Sequence, residues 1–153
     1  MNIRAVVALA LLCVIVAGCG GSGRLSRGEY RARLAALADE SNAAQRNAQH
    51  ALEARNVADL QSRLRQFADA EDRLGDKVDG LKPPKDAEAA NAQLARGFHD
   101  TAREIRDAVP GLSKFSLPVF AFRSLRRLAN SNGSREVDDG LAKLKKLGYT
   151  KGS

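Results

Sequence analysis

The sequence predicts an all-α protein, an antiparallel up-and-down bundle of about four helices in which the fourth is interrupted. Three observations support this prediction. Ala, Leu, Arg, Glu and Gln, which favour helices, dominate the chain from Ser26 onward. Apolar residues recur at spacings of three and four, and no alternating run rich in Val, Ile or Tyr indicates a strand. Short breaks between long helices place consecutive helices antiparallel.

The first two helices have the clearest patterns. Ser26 and Glu29 have the spacing of a capping box, so the first helix is predicted to begin at Ser26. Its inner face comprises Tyr30, Leu34, Leu37, Ser41, Ala44, Ala48 and Ala51. Asn56 is predicted to cap the second helix, which Pro83-Pro84 stops. The inner face of this helix comprises Leu60, Leu64, Phe67, Glu71, Leu74, Val78 and Leu81.

The remaining helices follow from prolines, glycines and apolar spacing. The third helix is predicted from about Lys85-Asp86 to Pro110-Gly111, with inner residues Ala87, Leu94, Phe98, Thr101, Ile105 and Val109. The fourth has Pro118 in its first turn and inner residues Val119, Phe122, Leu125 and Ala129. Residues 130–134 interrupt it. A final helix over 135–147 has inner residues Val137, Leu141 and Leu144, and Gly148 is expected just after its end.

One layer of the predicted core is polar. Folding the chain back at Asn56 and at Pro83-Pro84 brings Ser41 and Gly97 to the level of Glu71. One interpretation is a small pocket for a cationic or hydroxylated ligand, with Glu71 as its anchor. The other, which we favour, is that Glu71 pairs with Arg96 or Arg103 and that the layer only sets the register of the helices.

Residue patterns for catalysis or metal binding are weak. His50 and His99 fall off the predicted inner faces, so we expect them to be solvated rather than metal ligands. No nucleophile elbow, zinc-protease motif or phosphate-binding loop occurs, and adjacent carboxylates on a helix point in different directions. We therefore predict a protein that is not an enzyme and that uses no metal or cofactor.

The segment 115–128 allows two interpretations. It combines three aromatic residues with three basic ones, namely Phe115, Phe120, Phe122, Arg123, Arg126 and Arg127. A basic aromatic helix of this kind could lie on a membrane surface. We favour the alternative, in which the segment is the fourth helix of the bundle and Phe120 is partly exposed at one end.

The first nineteen residues have the pattern of an export signal. Arg4 is followed by an apolar run over residues 5–17, and the small residues Ala17 and Gly18 precede Cys19. A positive start, a short apolar core and small residues at the end are typical of a secretory signal peptide. The run is short for a transmembrane helix, which needs about 20 apolar residues, although an uncleaved membrane anchor would look similar. Gly20-Gly21-Ser22-Gly23 is typical of a flexible tether.

The residues Val16-Ala17-Gly18-Cys19 resemble the lipobox of bacterial lipoproteins. This resemblance implies cleavage before Cys19 and acylation of its thiol, which would anchor the chain outside the cytoplasm. The organisation would be a signal peptide (1–18), a lipidated tether (19–25), a helical domain (26–148) and a tail (149–153). Cys13 would leave with the signal peptide, so no free thiol would remain.

Three short motifs in the helical region are similar to those of small uncharacterised helical lipoproteins from high-GC Gram-positive and related bacteria. They are Leu25-Ser26-Arg27-Gly28-Glu29-Tyr30, Leu81-Lys82-Pro83-Pro84 and Leu144-Lys145-Lys146-Leu147-Gly148-Tyr149. That group has no assigned chemistry, so the resemblance bears on fold and location.

Location and charge limit the expected partners. The chain carries a net charge of +7, which favours anionic lipid or polymer of the envelope, whereas export would separate it from nucleic acid. We expect a membrane-anchored envelope lipoprotein with a non-enzymatic interaction or scaffold role. The alternative is a lipoprotein that binds a small ligand in the polar layer or in the groove beside the fourth helix.

Overall fold

A computed structural model describes residues 23–125, 128 and 130–150. The prediction of an all-α bundle is confirmed, because every regular element in these ranges is helical. The α-helices are α1 (Arg27–Gln49), α2 (Val57–Asp79), α3 (Glu88–Ala108), α4 (Pro118–Ser124) and α5 (Asn132–Lys146). Three 3-10 turns lie between them, at His50–Glu53, Lys85–Ala87 and Val109–Lys114.

Helix α3 is the centre of the bundle. It packs against α2 on one side and against α5 on the other, and α1 packs on α2. Glycines on α3 and α5 mark an antiparallel contact, with Gly97 next to Val137, Gly140 next to Leu94 and Gly133 next to Thr101. A Cβ atom at Gly97 would lie 2.6 Å from the nitrogen of Val137. The two backbones can therefore approach closely only because these side chains are missing.

Both predicted N-terminal caps are confirmed. The Ser26 hydroxyl accepts a hydrogen bond from the amide of Glu29 at 3.3 Å, and the Glu29 carboxylate accepts one from the amide of Ser26 at 2.8 Å. The Asn56 side chain likewise accepts from the amide of Asp59 at 2.9 Å. These bonds satisfy amides that have no partner within the first turn of a helix.

The predicted end of α5 at Gly148 is also confirmed. Gly148 has φ = +77°, a left-handed conformation that suits glycine. The amide of Tyr149 donates to the carbonyl of Leu144 and the amide of Gly148 to that of Lys145, both at 2.9 Å. This pair of bonds is a Schellman motif, and it turns Tyr149 back onto the core.

The start of α5 and the end of α2 differ from the prediction. Helix α5 begins at Asn132 rather than Arg135, because the Ser131 side chain caps it by accepting from the amide of Ser134. Helix α2 ends at Asp79, before Pro83-Pro84 can stop it, so Leu81 lies beyond the helix. Residues 132–134, which were predicted to interrupt the helix, therefore form the capped first turn of α5.

The inner face of α4 also differs from the prediction. Val119 was expected inside but is 53% exposed, and Ala121, which was not expected inside, is buried. Leu125 is buried as predicted. Phe120 is 51% exposed, which confirms its predicted partial exposure. The side chain of Phe122 and the whole of Ala129 lie outside the described residues. Packing of the small Ala121 allows this short helix to lie close against the bundle.

Residues at both ends of the described range make contacts with the helical bundle. Arg24 donates to the carbonyl of Pro83 at 2.9 Å, and the amide of Leu25 donates to the carbonyl of Lys82 at 2.8 Å. At the other end of the chain Tyr149 is only 3% exposed. Its hydroxyl donates to Asp86 at 2.7 Å. Both ends of the domain are therefore docked near the turn between α2 and α3.

The core is divided into two apolar clusters along the bundle. One surrounds Tyr30 and Leu144 near the α2–α3 turn, and the other surrounds Leu60 and Ile105 near α4. Along α2, Leu74 belongs to the first cluster and Ala68 to the second. Glu71 lies between them, so the predicted polar position separates two apolar regions.

Candidate ligand-binding cavity

A cavity of about 710 Å³ opens between α1 and α5, over the surfaces of α2 and α3. Its wall is mostly apolar, with Leu34, Leu37, Ala38, Ala48, Leu64, Phe67, Val78, Leu94, Phe98, Ile105, Leu125, Leu128, Val137 and Leu141. Polar groups come mainly from α1 and from the start of α5, namely Ser41, Asn42, Gln45, Gln49, Thr101, Ser131, Ser134 and Thr150. Its volume lies in the range of roughly 300–1,000 Å³ that is typical of small-molecule sites.

The cavity exists because α1 and α5 do not close over the middle of the bundle. On α1 only Tyr30 and Leu34 are buried, and the inner positions further along, such as Ser41 and Ala48, are half-buried. Their small side chains do not reach α5. Leu141, expected in the core, is 40% exposed because it faces this open space.

Glu71 is the main polar group in the cavity. It is 4% exposed, and no hydrogen bond or ion pair to its carboxylate occurs within the described ranges. The predicted pairing with Arg96 or Arg103 is wrong, because Arg96 faces Glu136 at 3.8 Å and Arg103 pairs with Asp100 on its own helix. Burial without a compensating charge raises the pKa of Glu71 to about 7.

Only two of the three residues predicted for the polar layer share the cavity. Ser41 and Glu71 both line it. Gly97 does not line it, because Val137 of α5 occupies the space that a side chain at Gly97 would fill. The glycine therefore allows close packing of α3 and α5 and does not leave a void beside Glu71.

Two further carboxylates, which the sequence patterns did not single out, line the same cavity. Glu104 extends from α3, and its Oε2 atom is buried without a hydrogen-bond partner. Asp138 extends from α5. Each is adjacent in sequence to a predicted inner residue, Ile105 or Val137, and this adjacency was the only signal that could have identified them.

The charged side chains of the described cavity lining are acidic, whereas the chain as a whole is basic. The described lining residues include Glu71, Glu104 and Asp138 but no lysine or arginine. The chain as a whole carries a net charge of +7. Glu71 is the buried member of this set, so its charge is screened less than it would be in water.

The histidines lie elsewhere. His99 is partly buried between α2 and α3, where its Nδ1 atom is 2.7 Å from Asp72, and Arg106 bridges Asp72 and Asp69. This pairing with His99 and Arg106 holds the pKa of Asp72 below its usual value. His50 is exposed beside Glu53. Within the described residues no three metal-binding side chains converge.

Cys19, the predicted lipidation site, lies outside the described residues. None of the described helices has the length and hydropathy needed to cross a bilayer. In comparisons with known proteins, no family model, curated protein or solved structure matches the chain.

Proposed function

We propose that this domain binds a small, mostly apolar molecule in the cavity between α1 and α5, without transforming it chemically. The observation that carries the proposal is the buried carboxylate of Glu71, which has no ion pair or hydrogen bond among the described residues and lines a mostly apolar cavity of about 710 Å³. An apolar wall that supplies binding energy and a few polar groups that fix orientation are the usual composition of a ligand site.

A purely structural role accounts less well for this arrangement. An apolar cavity lowers stability because its lining side chains make fewer packing contacts than they would in a filled core. A buried carboxylate without a partner lowers it further. A bound molecule would remove both costs, which favours the ligand-binding hypothesis over a scaffold whose core is complete by itself.

We further propose that the domain is held at the outer face of a membrane by lipid on Cys19. The support is the sequence Val16-Ala17-Gly18-Cys19 after a short apolar run. Anchoring of this kind would restrict the search for ligands to molecules present in the envelope, including those that partition into lipid.

Fluorescence of a neutral apolar dye tests the binding proposal. N-phenyl-1-naphthylamine should become more fluorescent when titrated with the wild-type protein, because it enters the cavity. Ser41→Trp, which places a large side chain in the cavity wall, should weaken dye binding by about tenfold or more. Asn47→Trp is the matched control, since Asn47 is exposed on α1 and does not line the cavity.

The proposal would be contradicted if the dye did not bind wild-type protein, or if it bound the Ser41→Trp and Asn47→Trp variants equally well. Circular dichroism of each variant would establish that the helices are intact.

A scaffold role is the second candidate, and the exposed surface of α4 is the observation that favours it. Leu117, Val119 and Phe120 are each about half exposed and adjacent. Apolar clusters on a surface often mark protein contacts. A partner captured from native envelope by the wild type and the Glu71→Gln variant, but not by Phe120→Ser, would support this role; capture independent of Phe120 would count against it.

A further inference from the structure

We propose that the ligand is a cationic amphiphile, a molecule with an apolar body and one ammonium-type group that pairs with Glu71. This inference rests on the proposed ligand-binding function and specifies the chemistry of the same cavity.

The buried carboxylate of Glu71 is the charged group that a ligand would meet in the cavity. Glu71 is 4% exposed, so water solvates it poorly, and no described side chain offers it a positive charge or a hydrogen-bond donor. A buried carboxylate is stabilised either by taking up a proton or by pairing with a cation. Below about pH 7 a proton can stabilise the carboxyl group, because burial raises the pKa of Glu71 to about 7. A ligand that carries a positive charge can replace this proton.

The second step concerns the other ionisable groups that face the cavity. They are Glu104 on α3, whose buried Oε2 atom has no hydrogen-bond partner among the described residues, and Asp138 on α5. Helix α1 contributes only uncharged polar groups such as Ser41 and Gln45. All charges that the described lining can develop are therefore negative. These described groups would repel an anionic ligand such as a fatty acid and attract a cation.

The third step concerns the rest of the wall. Leu64, Phe67, Leu94 and Phe98 provide aliphatic and aromatic surface around the acidic groups. A small hydrated cation would lose its water without any contact in return from this surface. A molecule with both an apolar part and a cationic group can contact the apolar side chains and the carboxylates of the lining. Simple inorganic cations and highly polar polyamines lack the apolar part and are therefore excluded.

Three probes of equal length test the inference. Octylammonium, octanol and octanoate share one apolar chain and differ in charge, and each can be measured by calorimetry and by displacement of the neutral dye. At pH 8, where Glu71 is mostly ionised, octylammonium should bind wild-type protein about tenfold or more tighter than octanol. Octanoate should bind most weakly.

Two variants locate the charged contact. Glu71→Gln keeps the shape of the side chain and removes its charge, so octylammonium should lose its advantage while octanol and the dye bind as before. Glu53→Gln is the matched control, because Glu53 is exposed, pairs only with His50 and lies outside the cavity. It should retain the wild-type preference.

The possible failures are distinguishable. If the dye and all three probes fail to bind, both the proposed function and this inference are wrong. If the dye binds but octanol or octanoate binds as tightly as octylammonium, the cavity is a site for neutral or anionic molecules and the inference alone is overturned. The same holds if Glu71→Gln leaves the preference for octylammonium unchanged.

Discussion

Glu71 interrupts the apolar face of α2 at the level where the two core clusters separate, and its burial makes the stability of the domain depend on pH. Below about pH 4.5, its usual pKa, the side chain is protonated in both the folded and the unfolded chain. Between 4.5 and 7 the unfolded chain releases this proton while the folded chain keeps it, so stability falls as the pH rises. Above 7 the loss is constant.

We therefore expect the free energy of unfolding of wild-type protein to fall relative to Glu71→Gln as the pH rises from 4.5 to 7.5. A pKa of about 7 instead of 4.5 corresponds to about 3 kcal/mol. Urea unfolding of both proteins at several pH values measures this difference, and effects of other titrating groups cancel in it. A difference that is the same at every pH would mean that Glu71 is not buried in the folded state.

A second prediction concerns the two tyrosines, whose rings meet edge to face at 5.1 Å. The hydroxyl of Tyr30 donates to Asn91 at 2.9 Å, and Asn91 donates to the carbonyl of Val78, all within the core. Tyr30→Phe leaves the oxygen of Asn91 without a donor, and we expect a loss of about 1–3 kcal/mol.

Tyr149→Phe is the matched control for this variant. The partners of the Tyr149 hydroxyl are Asp86 and Arg27, whose side chains are exposed and can bind water instead. Thermal unfolding should show a smaller decrease for this variant than for Tyr30→Phe. Equal decreases would indicate that water reaches Asn91.

At the scale of helices, the contact between α3 and α5 depends on glycines. A Cβ atom at Gly133 would collide with the backbone nitrogen of Thr101, which cannot move as a side chain can. We expect Gly133→Ala to lower stability by about 1–3 kcal/mol. A Cβ atom at Gly28 would meet no other atom within 4 Å. We therefore expect Gly28→Ala to raise stability by up to about 1 kcal/mol, because alanine favours a helix more than glycine does. Denaturant unfolding compares the two, and a neutral Gly133→Ala would mean that α5 lies further from α3.

Local signals predicted the helix ends well, because a cap is formed by neighbours in sequence. Ser26, Asn56 and Gly148 lie at the predicted helix ends, and each makes contacts within five residues along the chain. The inner face of α4 could not be predicted in this way. The helix is short, and whether Val119 or Ala121 faces inward depends on which of them lets the helix approach the bundle.

The candidate site was only partly predictable for a related reason. The spacing on α2 and the antiparallel hairpin placed Ser41 and Glu71 at one level. The sequence contains no signal that α1 and α5 remain apart, since this depends on how closely α5 approaches α3 through Gly97 and Gly140. Glu104 and Asp138 face the cavity only as a result of that approach.

At the scale of the whole molecule, the proposed lipid on Cys19 can be tested directly. Mass spectrometry of the mature protein should show an N-terminal diacylglyceryl-cysteine, and Cys19→Ala should keep the leader attached. Cys13→Ala, which changes a cysteine within the leader, should be processed normally. A mature protein with an unmodified Cys19 would refute the anchor.

Such an anchor would also constrain orientation. Four residues lie between Cys19 and Arg24, which is docked on Pro83, so the tether spans five residue-to-residue steps and reaches at most about 18 Å. Helix α2 has 23 residues and is about 35 Å long, and α4 packs at its far end. The exposed apolar residues of α4 would therefore touch the same membrane only if the bundle lay on its side.

The attachment of α1 has a consequence for the rate of ligand exchange. Tyr30 and Leu34 fix one end of this helix in the core, and Ala51 fixes the turn that follows its other end. Between them, Ala38, Asn42 and Gln45 are exposed at the rim of the cavity. A ligand of the proposed kind would pass these side chains as it enters through the opening between α1 and α5, so substitutions there could change the rates of binding and release without changing the contacts of the bound molecule.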